Sequence, residues 1–167
     1  MNRVTSIRLA AWLLIAGLLS ATPVAAQAPT APATPAAQAP QALTYEMAVQ
    51  VIDAAEAEAR KNKWNVTIVV TDAAGVPVVL RRLSGASPRS YDIATRKAAT
   101  VVATKLATSA YGEQLKAGSV KEVPNGITFA GGVPIMRGTE FIGAVGTSGV
   151  RAIEDEQISK AGASVIK

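Results

Sequence analysis

The apolar positions of the chain change period several times after residue 43, and each change marks an element. Ala48, Val51, Ile52, Ala55 and Ala59 recur at three and four residues behind Thr44, a good N-cap, with Glu46 in the first turn. That spacing predicts an amphipathic helix from Thr44 to about Lys63, its charged face carrying Glu56, Arg60 and Lys61. The run Val66 to Thr71 is β-branched at every position, and a second run follows from Val76 to Leu83. Between them Asp72-Ala73-Ala74-Gly75 is a turn whose glycine supplies positive φ, so the two runs form a hairpin. Pro77 puts the second strand of that hairpin at an edge or a bulge.

After the polar loop Ser84 to Arg89, Ser87 reads as an N-cap and Pro88 as the first helical residue. The helix they open runs to about Thr108 with Ile93, Ala94, Ala98, Val101, Val102 and Leu106 on one stripe. The pattern is lost from Ser109 to Asn125, a connection long enough to serve as a lid or a solvated loop. Three further strands are predicted at Ile127 to Ala130, Val133 to Met136 and Phe141 to Thr147, with Pro134 weakening the middle one. A closing helix spans about Ala152 to Ile166, and Glu154, Asp155 and Glu156 occupy what reads as its solvated first turn. Hairpin-connected strands with helices to cover them make an α+β domain.

The first 42 residues follow another logic. Arg3 and Arg8 precede the apolar run Leu9 to Leu19, and Val24 and Ala26 offer a small-residue cleavage site before Gln27. This is the pattern of a secretory leader over residues 1–26, because eleven apolar residues fall short of the ~20 that a membrane span needs. Residues 27–42 are uncharged and carry prolines at 29, 32, 35 and 40, the composition of a semi-extended tether. The expected layout is therefore leader, tether and a folded unit over 43–167, in a protein exported to the periplasm or the medium with no membrane span once the leader is removed.

Composition then removes chemistries. The 167 residues include no Cys and no His, which excludes disulfides, Ser-His-Asp catalysis, thiolate nucleophiles, N/S zinc sites and imidazole-ligated haem. Lys+Arg 17 against Asp+Glu 12 is a small excess of mixed sign, with no case for nucleic-acid binding. No metal-ligand set stands out, and Ser148 has no histidine to make it a nucleophile, so no catalytic residue is assigned.

Four stretches carry a resemblance: VTIVVTDAAGVPVVLRRLSGAS at 66–87, ATRKAAT at 94–100, GGVPI at 131–135 and GAVGTSGVRAIEDEQISKAG at 143–162. In order and spacing they resemble the GlcG/HbpS family of haem-binding or haem-degrading proteins. The resemblance implies a profilin-like fold, a five-stranded antiparallel sheet between helices, assembly into homo-oligomers, and haem or a related carboxylate-bearing molecule as ligand. Two departures stand out: Ser84 takes the place of a usual carboxylate, and Val150 follows Ser148-Gly149 where a second glycine is common.

Candidate ligand residues follow from chemistry and from that resemblance together. Lys97 lies close to the apolar stripe of the second helix, where it is either a cation for a propionate or a snorkelling side chain. Gly131-Gly132 is either an anion-binding nest or a tight bend, and Ser148-Gly149 precedes a helix whose free N–H groups favour an anion. Arg82 and Arg89 are further propionate partners. With imidazole absent, a haem iron would turn to Tyr45, Tyr91, Tyr111, Met47, Met136, a lysine or a hydroxyl such as Thr100. The expected ligand set is Arg82, Tyr91, Lys97, Thr100, Tyr111, Gly131, Gly132, Ser148 and Gly149. Haem capture without strong ligation is the leading reading. The alternatives are an enzyme or enzyme accessory acting on a small organic hydroxy acid, and a non-catalytic oligomeric interaction module.

Overall fold

A computed structural model describes residues 42–167. The leader expected over 1–26 and all but the last residue of the expected tether lie outside the described residues. Helix α1 (Tyr45–Lys61) starts where Thr44 Oγ1 accepts the Met47 N–H at 3.3 Å, and it buries the five apolar positions that its spacing predicted. Strands β1 (Thr67–Asp72) and β2 (Pro77–Arg82) form the expected hairpin, with Asp72 Oδ1 accepting the N–H groups of Ala74 and Val76 across the turn. Helix α2 (Arg89–Thr104) follows, then a short helix α3 (Thr108–Lys116), strands β3 (Gly132–Arg137) and β4 (Glu140–Ser148), and helix α4 (Ala152–Ala163).

The strands form one antiparallel sheet in the order β2-β1-β4-β3. Side-chain alternation along β1 and β4 decides which helix covers which face. Ile68, Val70 and Val145 join Val51, Ile52, Ala55 and Ile158 in the main core beneath α1 and α4. Ala144 points the other way and packs with Ala98 and Val101 of α2. The result is a three-layer domain with α1 and α4 on one face and α2 on the other. Among the described residues no helix is long and apolar enough to cross a membrane.

Three details differ from the expected pattern. The sheet has four strands, because residues 127–130 are not a strand. Their backbone is tied to helix side chains: the Ile127 N–H donates to Thr100 Oγ1 at 2.9 Å, and Arg96 donates to Asn125 O. The stretch after Ser109 is partly helical, since α3 forms there despite Gly112, a poor helix residue. Gly112 is needed because a Cβ there would collide with the Thr128 carbonyl, and Tyr111, fully buried, accepts the Val123 N–H at 2.8 Å. Finally, α2 begins one residue later than read: Pro88 is the cap position, and the Ser87 carbonyl accepts the Ser90 N–H at 2.9 Å.

At its nearest point to the sheet, the α2 backbone lies over a residue of β4 that carries no side chain. A Cβ on Gly146 would overlap the Ala94 carbonyl and lie 2.8 Å from the Ala98 nitrogen. Gly146→Ala is therefore expected to cost about 1–3 kcal/mol, the usual range for overpacking, in urea unfolding. Wild-type stability in that variant would mean that α2 is not pressed against β4.

Candidate functional site

The chemistry-bearing residues converge where α2, the start of β3, the end of β4 and the start of α4 meet. Lys97 projects from the buried stripe of α2 and is 0 % exposed. Its Nζ donates to Asp155 Oδ2 and to the Thr147 carbonyl, each at 2.8 Å, and lies 5.1 Å from the centre of the Phe129 ring. The other oxygen of Asp155 accepts the Val150 N–H at 3.2 Å. Ser159 Oγ bridges the Gly131 carbonyl and Thr147 Oγ1, both at 2.8 Å. Lys97 thus joins α2 on one face of the sheet to α4 on the other, through the backbone of the strand between them.

The glycines at 131–132 make that route possible. Gly131 has φ +127, and a Cβ on it would collide with Lys97 Nζ and sit 2.9 Å from the Asp155 Cβ. The Gly132 N–H donates to Thr108 Oγ1 at 3.0 Å. Burial pushes the Lys97 ammonium below its ordinary pKa and the Asp155 carboxyl above its own, and in each case the partner's charge opposes the shift. The solvated first turn expected for Asp155 and Glu156 is overturned: both are buried, because Lys97 needs a counter-charge and α4 supplies it. A lysine on an apolar stripe was the available signal, and the acidic run 154–156 was the natural place to look for its partner.

The remaining candidates are dispersed. Thr100 Oγ1 donates to the Arg96 carbonyl and accepts the Ile127 N–H, and the Tyr111 hydroxyl faces Val123. Arg82 donates twice to the Ala86 carbonyl and closes the 82–86 loop. Tyr91 is 52 % exposed on α2. Ser148 and Gly149 line a small opening of about 210 Å³ together with Ser87, Arg89, Ser90 and Ile93. The N–H groups ahead of α4 do not stand open as expected: Glu154 accepts the Arg151 N–H and pairs with its guanidinium, while Asp155 holds Val150.

A larger cleft of about 480 Å³ adjoins the Lys97 centre, lined by Ser109, Ala130, Ile153, Glu156, Gln157 and Lys160. None of the nine expected ligand residues lines it. Its floor is apolar, with Ile153 73 % exposed at the rim, and Lys160 Nζ pairs with Glu156 Oε1 at 2.5 Å. Glu156 Oε2 is buried without a hydrogen-bond partner. This cleft was not legible in the sequence, because it depends on where 127–131 crosses α4. No group of three or more His, Cys, Asp or Glu side chains that could hold a metal ion occurs among the described residues.

Comparison with known proteins adds four findings. The sequence model of a family described as haem degrading protein HbpS-like matches residues 43–164. Protein GlcG of Escherichia coli K12 is 36% identical over 108 residues, which cover 64% of this chain and 81% of that protein. Among solved structures, a double mutant of HbpS from Streptomyces reticuli aligns with a TM-score of 0.69 at 33% identity, covering 89% of this chain and 99% of the other. A structure described as a PduOC:heme complex aligns with a TM-score of 0.64 at 28% identity, covering 75% and 96%.

Lys97→Met should lower stability at pH 7 by about 3–5 kcal/mol, since it leaves a buried carboxylate without its cation. In that variant the Asp155 pKa in the folded state lies well above the unfolded value near 3.8, so the folded form binds the proton more tightly. The deficit against wild type is then greatest above the raised folded pKa and shrinks as pH falls through it. Urea unfolding at pH 7 and pH 4.5 checks this, and an equal deficit at both would rule out an uncompensated Asp155 as the cause.

Proposed function

The chain belongs to the HbpS-like family of haem-degrading proteins, and on that premise we propose that it binds haem or a closely related tetrapyrrole carboxylate in the cleft along α4. The observation that carries this reading is an apolar cleft with a cation in its wall. Ala130 and Ile153 offer an apolar surface to one face of a porphyrin, and Lys160 can turn from Glu156 to a propionate. The haem complex of the PduOC relative supports the same ligand class.

The lining residues fit the porphyrin body and its carboxylates better than the iron. The cleft contains no Tyr or Met, and the chain has no His or Cys, so an iron there would meet only Ser109, Glu156, Gln157 or Lys160. Bound haem would supply iron-centred redox chemistry. The chain itself supplies apolar contact, charge pairing for a carboxylate and partial exclusion of water, which is the equipment of a binding protein. The leader pattern of residues 1–26 supports export, and the family resemblance supports assembly into a homo-oligomer.

Titration of the protein with haem, followed at the Soret band, tests the reading. Saturable binding is expected at about 10 μM haem or below, a range in which weak specific sites are visible. Lys160→Met and Ile153→Asp should each weaken it at least about tenfold, equivalent to roughly 1.4 kcal/mol, while Arg82→Ala leaves it unchanged. Absence of saturation, or wild-type affinity in both cleft variants, would remove the assignment.

A further inference from the structure

Two buried side-chain atoms among the described residues have no hydrogen-bond partner, Thr71 Oγ1 and Glu156 Oε2. Thr71 lines neither opening described above, whereas Glu156 forms part of the wall of the α4 cleft. Glu156 is only 8 % exposed, and its two oxygens differ in what they meet. Oε1 pairs with Lys160 Nζ, one helical turn further on, and Oε2 meets no donor. Neighbouring donors are used elsewhere: Lys97 Nζ goes to Asp155 and to the Thr147 carbonyl, and the Gln157 amide donates to Glu58 Oε1 at 2.6 Å. A buried acceptor without a donor is uncommon in native proteins and costly to maintain, so an oxygen of this kind in a cleft wall points to a ligand that donates to it.

A ligand that recruits Lys160 deepens the shortage. Once that ammonium turns to a carboxylate on the ligand, the Glu156 carboxylate is left in the wall with neither oxygen paired, and breaking a buried ion pair on one side only is strongly unfavourable. The ligand that fits is one that supplies a hydrogen bond to Glu156 as it draws the cation away. Haem supplies none from its ring, because the iron occupies all four nitrogens. A metal-free macrocycle has N–H groups, but they point into the centre of the ring. Opening the macrocycle turns pyrrole and lactam N–H groups toward an outside acceptor, and the open chain keeps the conjugated apolar body and the propionates that Ala130, Ile153 and Lys160 suit.

Resting on the reading of the α4 cleft as a tetrapyrrole site, we propose that Glu156 selects an open-chain, iron-free tetrapyrrole over haem, its Oε2 accepting pyrrole or lactam N–H groups while Lys160 pairs with a propionate. Glu156 is then the specificity-determining residue of the cleft. A wall without histidine, cysteine, tyrosine or methionine accords with such a ligand, which has no iron to hold.

The test is an absorbance titration of the full chain with biliverdin, haem and zinc protoporphyrin in turn, the metal in the last two leaving no N–H on the ring. Biliverdin is expected to saturate with a Kd at least about fivefold below those of both metal complexes. Glu156→Met should bring the three affinities to within about twofold of one another, which a merely structural role for Glu156 would not do. The wild-type comparison involves no substitution, so it decides the matter should Glu156→Met fail to fold. Biliverdin binding no tighter than the metal complexes, or a preference that survives Glu156→Met, would overturn the proposal while leaving the cleft a haem site. Saturation by none of the three would remove the tetrapyrrole reading itself, and the proposal with it.

Discussion

A lysine ammonium with no access to water stays charged only if the fold delivers an opposite charge and enough acceptors to it, and in this protein much of the central architecture answers that demand. Lys97 obtains a carboxylate from α4 and a carbonyl from β4, and three other features follow from the arrangement. Residue 131 must be a glycine with positive φ, because a side chain would occupy the space of the ammonium. The carbonyl of Thr147 is spent on Lys97 while its N–H pairs with Gly131, so the β3–β4 ladder ends in an ion site. Asp155 is held at the start of α4, where it also takes the Val150 N–H and fixes how the chain enters that helix. Burial works against each charge and the partner works for it, so neither side chain is tolerable alone.

Much of this fold was legible in residue spacing. The α1 stripe and the hairpin turn follow from period and turn chemistry, and those signals are local. What spacing missed is non-local. Residues 127–130 have the composition of a strand, yet Thr100 and Asn125 bind their neighbourhood to α2, and no pattern in the segment itself records that. Helix α3 was hidden because Gly112, a poor helix residue, is required by the close approach of the Thr128 carbonyl, a contact that no local pattern records. At the candidate site, attention to Lys97 and Gly131 could be read from residue type and position. Their roles could not, since a buried lysine facing a carboxylate and one facing a ligand look the same in a sequence.

The two openings differ in size and in the character of their walls. The α4 cleft is broad and apolar, and its one cation is already paired with Glu156. The opening at the start of α2 is smaller, about 210 Å³, and is lined by serines at 87, 90 and 148 with Arg89, Ile93 and Val150. Absence of histidine and cysteine bears on both, because it leaves recognition to charge, hydroxyls and shape.

The two outer strands share a property with consequences for how copies of this chain can meet. Each carries a proline, Pro77 in β2 and Pro134 in β3, and each pairing contains an irregularity, at Val70/Thr71 and at Ile135/Met136. A proline removes a backbone donor and a bulge twists the margin, so neither border offers an uninterrupted row of N–H and C=O groups to a neighbour. Runaway growth by adding strand to strand is thereby blocked at both margins. Any contact between copies would instead have to use side chains, where geometry can close an assembly at a finite number of subunits.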